Sequence, residues 1–379
     1  MNFAIIAVGY NRLASMERLL KSICNAKYTQ NVDLIISLDK SDKQEDLVSM
    51  TESIKWEHGE KKTRAFETRQ GLRNHILQCG DLTNQYDAVI VLEDDLVVST
   101  GFFDYIEQAV RFYWNDDKIA GISLYSHKTN PGNGRCFEAV NNGYDTFLMQ
   151  YAQSWGQCWT RRMWNCFREW YNNNTDFDFN NTSIPDYVGK WNSQSWLKYF
   201  IAFCAEKKQY YVYPYISMTT NHTEIGEHNV MCDSSYQVPI LHGIMNRSFL
   251  FPKYNDAIKY DSFFEREELI EFEEKYEGKC LIDLYGLRTK YDGYKYIAST
   301  NRLPYQVLSI IGLQYRPHEM NLLYNEPGEG IYIYDLTKIS VRPKRSKYAI
   351  AKYELKALSS KLTLSHALHG IKAKLGEKL

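Results

Sequence analysis

Long apolar runs are missing from this chain of 379 residues. No segment approaches the roughly 18 consecutive apolar residues of a membrane-spanning helix, which excludes a helical integral membrane protein. The 8 cysteines, Cys24, Cys79, Cys136, Cys158, Cys166, Cys204, Cys232 and Cys280, contain no Cys-x-x-Cys pair. That excludes a zinc ribbon and argues against a disulfide framework; runs such as Ile201-Ala202-Phe203-Cys204 fit buried, reduced thiols. Net charge is nearly absent too: 45 basic and 46 acidic residues give -1, which offers no electrostatic footprint for nucleic acid. There is no Gly-x-Gly-x-x-Gly after the first apolar run, which disfavours a dinucleotide fold, and no Gly-Lys-Ser/Thr phosphate loop. The apolar run within Met1 to Gly9 is short and lacks a basic flank and a cleavage pattern. It reads as a first strand, and the expectation is a cytoplasmic protein.

Aromatic residues are plentiful, at 15% with 30 tyrosines, and such rings fill cores as readily as they stack on ligands. Along the first 115 residues strands and helices alternate. Phe3 to Val8, Asp33 to Leu38 and Ala88 to Leu92 read as buried strands. Ser15 to Ala26 carries Met16, Leu19, Leu20 and Ile23 on one helical face, and further helices open at Gln70 and Thr100. The alternation argues for an open parallel sheet, in which ligands bind beyond the carboxyl ends of the strands. Three polar clusters stand at such ends: Gly9 to Arg12, Asp39 to Asp42 and Glu93 to Asp95.

Glu93-Asp94-Asp95 is the most informative of these. Three adjacent carboxylates repel one another and, beside apolar residues, carry a desolvation penalty. A hard divalent cation such as Mn²⁺ or Mg²⁺ would relieve both, with substrate phosphates completing its shell. The plain structural alternative is a solvated acidic loop. Residues 116 to 230 are rich in Trp, Tyr and Asn, and most of these Trp read as core. In Ser154-Trp155-Gly156 the glycine lets backbone approach a ligand closely. Glu265 to Tyr276 reads as an acidic surface helix. From Arg342 onward ten Lys and Arg face only Glu354 and Glu377, with Leu355, Leu358, Leu362 and Leu368 interspersed. Such a tail suits an anionic membrane surface, or stands as a solvated helix.

Taken in order, Ala4 to Arg12, Gln70 to Asn74, Val91 to Asp95 and Ser154 to Gly156 resemble the motifs of GT-A fold glycosyltransferases. The Glu-Asp-Asp form is most similar to Golgi β-1,2-N-acetylglucosaminyltransferases and to bacterial relatives in surface-polysaccharide (lipopolysaccharide or capsule) synthesis. The resemblance implies an α/β fold with a Rossmann-like open sheet flanked by helices, and a helical, basic C-terminal extension. It implies a domain over 1–240, with a nucleotide-binding half at 1–115 and an acceptor half at 116–240. An extension at 241–341 packing on that domain and a tail at 342–379 would follow. Asp95 would ligate Mn²⁺ or Mg²⁺, with His228 approaching the metal from a loop. Asp94 would contact the ribose or the metal shell, and Glu93 the donor-sugar hydroxyls. Gly9, Tyr10 and Arg12 would line the uridine pocket, with Asp39 near the base. Arg73, with Arg69 as the alternative, would contact the diphosphate, and Trp155 and Gly156 would wall the donor sugar.

One position departs from the family pattern. Inverting members place an Asp general base where this chain has Gln194, and an amide cannot accept the proton. Either the base lies elsewhere, with Asp186 and Glu224 as candidates, or the stereochemistry differs, or the enzyme is impaired. The expected function is metal-dependent transfer of a sugar from a nucleotide donor, UDP-linked, to a glycan or lipid-linked acceptor, on the inner face of the cell membrane. The alternatives are a sugar-phosphate nucleotidyltransferase and a non-catalytic glycan-binding or scaffold relative.

Overall fold

The computed structural model describes residues 1–181, 183–222, 236–243, 247–344, 349–355 and 368. Two compact units emerge: Met1–Gly132 with Ala139–Glu267, and Asn133–Glu138 with Glu268–Leu379.

The first unit begins with β1 (Phe3–Gly9), α1 (Leu13–Cys24), β2 (Asp33–Leu38), α2 (Gln44–Ser53), β3 (Lys61–Ala65), α3 (Gly71–Gly80) and β4 (Ala88–Glu93). It continues with β5 (Leu96–Val98), α4 (Phe102–Phe112), β6 (Ile119–Ser123), β7 (Thr146–Met149), β8 (Gln157–Thr160), α5 (Arg161–Asn172), α6 (Asp186–Gly189) and α7 (Leu197–Lys207). Then come β9 (Tyr210–Pro214), β10 (Thr219–Asn221) and β11 (Lys259–Tyr260). Nine strands form one open sheet in the order β11-β7-β9-β6-β8-β4-β1-β2-β3, with helices flanking it. This is the open α/β architecture expected from the alternation of strand and helix.

The strands β3, β2, β1 and β4 are parallel, and of these the buried runs predicted β1, β2 and β4. The other half of the sheet is mixed, because β8 runs antiparallel to both β4 and β6, and β7 antiparallel to β9. The open parallel sheet inferred from the first 115 residues holds over β1 to β4, and the mixed pairing begins only beyond them. The aromatic segment around Trp159 supplies β8 and α5, and its Trp159 and Trp164 are fully buried core, as is Trp196. The predicted face of α1 is also core: Met16, Leu19, Leu20 and Ile23 are buried. Polar β3, Lys-Lys-Thr-Arg-Ala, carries no apolar pattern and becomes a strand only by pairing with β2 at the sheet edge.

The chain leaves β1 toward β2 and β3 on one side, then returns to place β4 on the other. The carboxyl ends of β1 and β4 thus flank a topological switch point, the usual crevice for ligands in such sheets. The register sets Val8 opposite Glu93.

The second unit contains α8 (Ile270–Lys275), β12 (Cys280–Asp283), β13 (Tyr296–Ser299), β14 (Tyr305–Gly312), α9 (Met320–Tyr324), β15 (Gly330–Ile339) and α10 (Ala349–Glu354). Its sheet runs β12-β13-β15-β14. Ile282, Ala298, Ile311 and Ile333 pack with Leu269, Phe272 and Tyr353. The acidic surface helix expected over 265–276 is corrected: only Ile270–Lys275 is helical, and Leu269, Phe272 and Tyr276 are buried. Part of the expected basic tail belongs to this unit, since Tyr353 of α10 is buried and its hydroxyl donates to Tyr315 O at 2.6 Å. Most of 342–379 lies outside the described residues. Among the described residues no helix is long and apolar enough to cross a membrane.

Candidate active site at the carboxyl ends of β1 and β4

Strand β4 ends at Glu93, and Asp94-Asp95 make the tight turn into β5. Asp94 is buried, while Glu93 and Asp95 are half-buried. Burial pushes the Glu93 carboxyl above its ordinary range, and the charges of Asp95 and then Asp94 push the same way; Arg12 opposes them more weakly.

The counter-charge the acidic turn demands is already present. Arg12 follows β1, and its Nη2 bonds Asp94 Oδ1 while its Nε donates to Asp94 Oδ2 at 3.4 Å. The same Nη2 lies 3.7 Å from Asp95 Oδ2. Burial alone would lower the Arg12 pKa, but the neighbouring carboxylates, Asp94 foremost, raise it.

Strand β10 pairs antiparallel with β5 and ends opposite the turn, Asn221 facing Leu96. The next backbone amide, His222 N, donates to Asp95 O at 2.7 Å. His222 therefore follows the carboxylates in space, although 127 residues separate it from Asp95 in the chain. The sequence offered one signal for it: the Asn221-His222-Thr223 run. His228 and Glu224 lie outside the described residues.

The other end of β10 reaches the aromatic wall. Thr219 Oγ1 donates to Trp155 O at 2.6 Å. The half-buried Trp155 ring is backed by Tyr125 at 4.7 Å and Tyr236 at 4.9 Å. Gly156 adopts φ +95°, and a Cβ there would sit 3.0 Å from Thr219 Cγ2 and 3.1 Å from Leu124 Cβ. Both the backbone conformation and the close approach require glycine.

Asp39 directly follows β2, but its carboxylate is turned to backbone. Oδ1 accepts from Gln70 N at 2.7 Å and Lys40 N at 2.8 Å, and Oδ2 from Gly71 N at 3.0 Å. It thereby caps α3, which has no side-chain cap of its own from Gln70. Asp39 N in turn donates to Gly9 O at 2.9 Å, and Ser41 Oγ to Tyr10 O at 2.7 Å. These bonds hold Gly9 and Tyr10 at the strand ends. A Cβ on Gly9 would lie 2.3 Å from Met16 Cε, so the glycine lets α1 pack against β1.

Two arginines flank the start of α3 and take different partners. The Arg69 guanidinium stands over the Tyr10 ring, 4.1 Å from its centroid, and bonds the Tyr10 hydroxyl. Arg73 turns instead to Tyr199 of α7, 5.5 Å from its centroid and 3.4 Å from its hydroxyl. Lys198 lies over the same Tyr199 ring and over Phe179 at 4.6 Å, and its pKa is lowered by burial and by Arg73. Gln194 Oε1 would lie 3.2 Å from a Cβ on Gly71, so this side chain abuts the start of α3. Asp186 is exposed on the first turn of α6, whose Tyr187 hydroxyl donates to the Tyr151 hydroxyl at 3.2 Å.

The structure thus gathers Gly9, Tyr10, Arg12, Asp39, Glu93, Asp94 and Asp95 about one end of the sheet, and β10 joins Trp155 and Gly156 to them. A separate cavity of about 360 Å³, lined by Phe177, Asp178, Ile184, Ala205 and Glu206 among others, includes none of the predicted site residues.

Among the described residues no group of three or more His, Cys, Asp and Glu is set to hold a metal alone. The donors at the turn are nevertheless the right kind for a hard cation: carboxylate oxygens with an imidazole-bearing residue beside them. Mg²⁺ and Mn²⁺ sites commonly use one or two protein carboxylates and take the rest from phosphate and water.

No family model matches the chain, and no curated protein does. Several solved structures are similar over part of its length. One is S. aureus TarS 1-349 in complex with UDP-GlcNAc, at 13% identity and TM-score 0.35, covering 60% of this chain and 60% of that one. GalNAc-T7 with UDP, GalNAc and Mn²⁺ gives 13% identity and TM-score 0.38 over 57% of this chain and 43% of that one. The mannosyltransferase PcManGT from Pyrobaculum calidifontis, with GDP-Man and Mn²⁺, gives 10% identity and TM-score 0.31 over 45% and 46%. The chain spans about 60% of the length of the TarS 1-349 structure and less of the other two.

Proposed function

We propose that this protein transfers a sugar from a nucleotide-linked donor, of the UDP class, to a glycan or lipid-linked acceptor with the help of a divalent cation. The observation that carries the reading is the carboxylate turn Glu93-Asp94-Asp95 at the switch point of the sheet, beside the end of β1. Asp95 would hold the cation, with His222 or His228 as an imidazole donor. When bound, the cation supplies positive charge to the diphosphate leaving group. Tyr10, backed by Arg69, offers a flat cationic edge for a nucleobase, and Arg12 a fork for phosphate oxygens. Glu93 would accept hydrogen bonds from sugar hydroxyls, and Trp155 would wall the sugar and exclude water. The 116–240 half would present the acceptor. Activation of the acceptor falls to Asp186 or Glu224, since Gln194 cannot take a proton. The basic residues from Arg342 on would draw the protein to an anionic membrane carrying a lipid-linked acceptor.

A thermal-shift screen of nucleotide sugars with Mn²⁺ tests this. A true donor at 100 times its Kd raises stability by about 2.7 kcal/mol. Stabilisation by none of the nucleotide sugars, or consumption of a nucleoside triphosphate with a sugar phosphate, would overturn the reading.

A further inference from the structure

We infer that Arg12 is a resident counter-cation of the acidic turn, one that resists a free divalent ion and yields when the ion arrives with a nucleotide diphosphate. This rests on the functional reading above. Arg12 grips both oxygens of Asp94 and stands 3.7 Å from Asp95 Oδ2. The Asp94 side chain is only 7% exposed and that of Arg12 26%, so this attraction is weakly screened by water. The position follows from the fold. Arg12 is the third residue after β1 and the N-cap of α1, and the β1–β4 register carries Val8 opposite Glu93, which brings this segment to the turn.

A dication placed on Asp95 would face this guanidinium across a few ångströms, and like charges at that range disfavour each other strongly. A diphosphate changes the balance. Its negative charge compensates the added cation, and its oxygens offer the planar guanidinium fork a second partner of matching geometry. Ion and nucleotide would then enter with positive coupling, and by linkage each would raise the affinity of the other. Arg12 is a positioning residue in this account: it sets which charged species the turn accepts.

The test is Mn²⁺ uptake measured by electron paramagnetic resonance, on the full chain, with and without UDP. Without UDP, Arg12→Gln should bind Mn²⁺ at least about tenfold more tightly than wild type, equivalent to about 1.4 kcal/mol. Arg12→Lys keeps the charge and should stay near wild type. Addition of UDP should tighten Mn²⁺ binding more in wild type than in Arg12→Gln. If wild type takes up Mn²⁺ with UDP but Arg12→Gln, folded by circular dichroism, shows no gain without it, the counter-cation role is overturned and the functional reading stands. If neither protein takes up Mn²⁺ even with UDP, both fall. Should Arg12→Gln not fold, Arg12→Met keeps the aliphatic stem without the charge and should likewise bind Mn²⁺ about tenfold more tightly than wild type without UDP. No gain in a folded Arg12→Met would overturn the role.

Discussion

Two arginine–carboxylate clusters, one in each unit, use the same chemistry to opposite ends. In the second unit Glu354 receives Arg135 Nε at 2.9 Å, His318 Nε2 at 3.1 Å and Cys136 N at 3.2 Å. Arg316 also donates to the Tyr353 carbonyl at the end of α10, at 3.0 Å. Burial pushes the Glu354 carboxyl up, but the hydrogen bonds from His318 and Arg135 prevail and hold it at about 2. One acid is served by several donors. At the first unit's turn the proportion is reversed: Arg12 faces three carboxylates, and Glu93 is left raised. A saturated cluster has the character of a fastening. A cluster with negative charge in excess of its local cation has the character of a receptor, because the fold bears a repulsion that a ligand can relieve.

This contrast can be broken experimentally. The largest expected effect is on Glu354→Ala, which leaves Arg135 and His318 without their partner and should lower stability by about 3–5 kcal/mol in urea unfolding. A loss below about 1 kcal/mol would mean the cluster is no fastening. Asp95→Ala should behave in the opposite way. The proposed sugar transfer should fall about 100- to 1000-fold, some 2.7–4 kcal/mol of activation free energy, with little change in melting temperature. Unfolding with unchanged specific activity of the folded fraction would reverse the assignment.

Acid sharpens the comparison next. His75 is buried against Ser37, with Asp39 and Arg64 nearby, and burial lowers its pKa to about 4. Its folded value lies below the unfolded one near 6.5, so its contribution is complete above pH 6.5 and is lost as pH falls toward 4. That amounts to about 3 kcal/mol at pH 4. The Glu354 carboxylate loses its own contribution only between pH 4.5 and about 2, because its folded pKa is depressed from the carboxylate value. His75→Gln should therefore flatten the pH dependence of stability between 6.5 and 4, and Glu354→Gln only below about 4.5. Identical profiles would refute the distinction. The smallest effect is on Glu93→Gln, which removes an acid whose ionisation is opposed by burial and by two neighbours. It should raise the melting temperature slightly, by about 1 kcal/mol of stability, and a fall would count against the excess of negative charge.

Much of the first unit was legible in advance for a simple reason. Buried parallel strands are apolar on both faces, and α1 shows its core face at helical spacing, so β1, β2, β4 and α1 need no tertiary information. The Trp segment was harder, because aromatic residues serve both strand and helix, and it folds into one of each. β3 was illegible: its polar residues become a strand only by pairing with β2. The same held for the boundary of α8, where Phe272 and Tyr276 answer to the second unit's core more than to helix propensity.

The sequence by itself determined the strands that carry the candidate site and the acid-rich turn at the end of one of them. Such features depend on residue type and local spacing, which the chain carries openly. Only the tertiary structure decided the partners. Arg12 meets Asp94 across 82 residues, Asp39 caps a helix 31 residues away, Arg69 takes Tyr10 across 59 residues, and Arg73 takes Tyr199 across 126. Those pairings are products of strand register and of the crossing at the switch point, which exist only once the sheet has assembled.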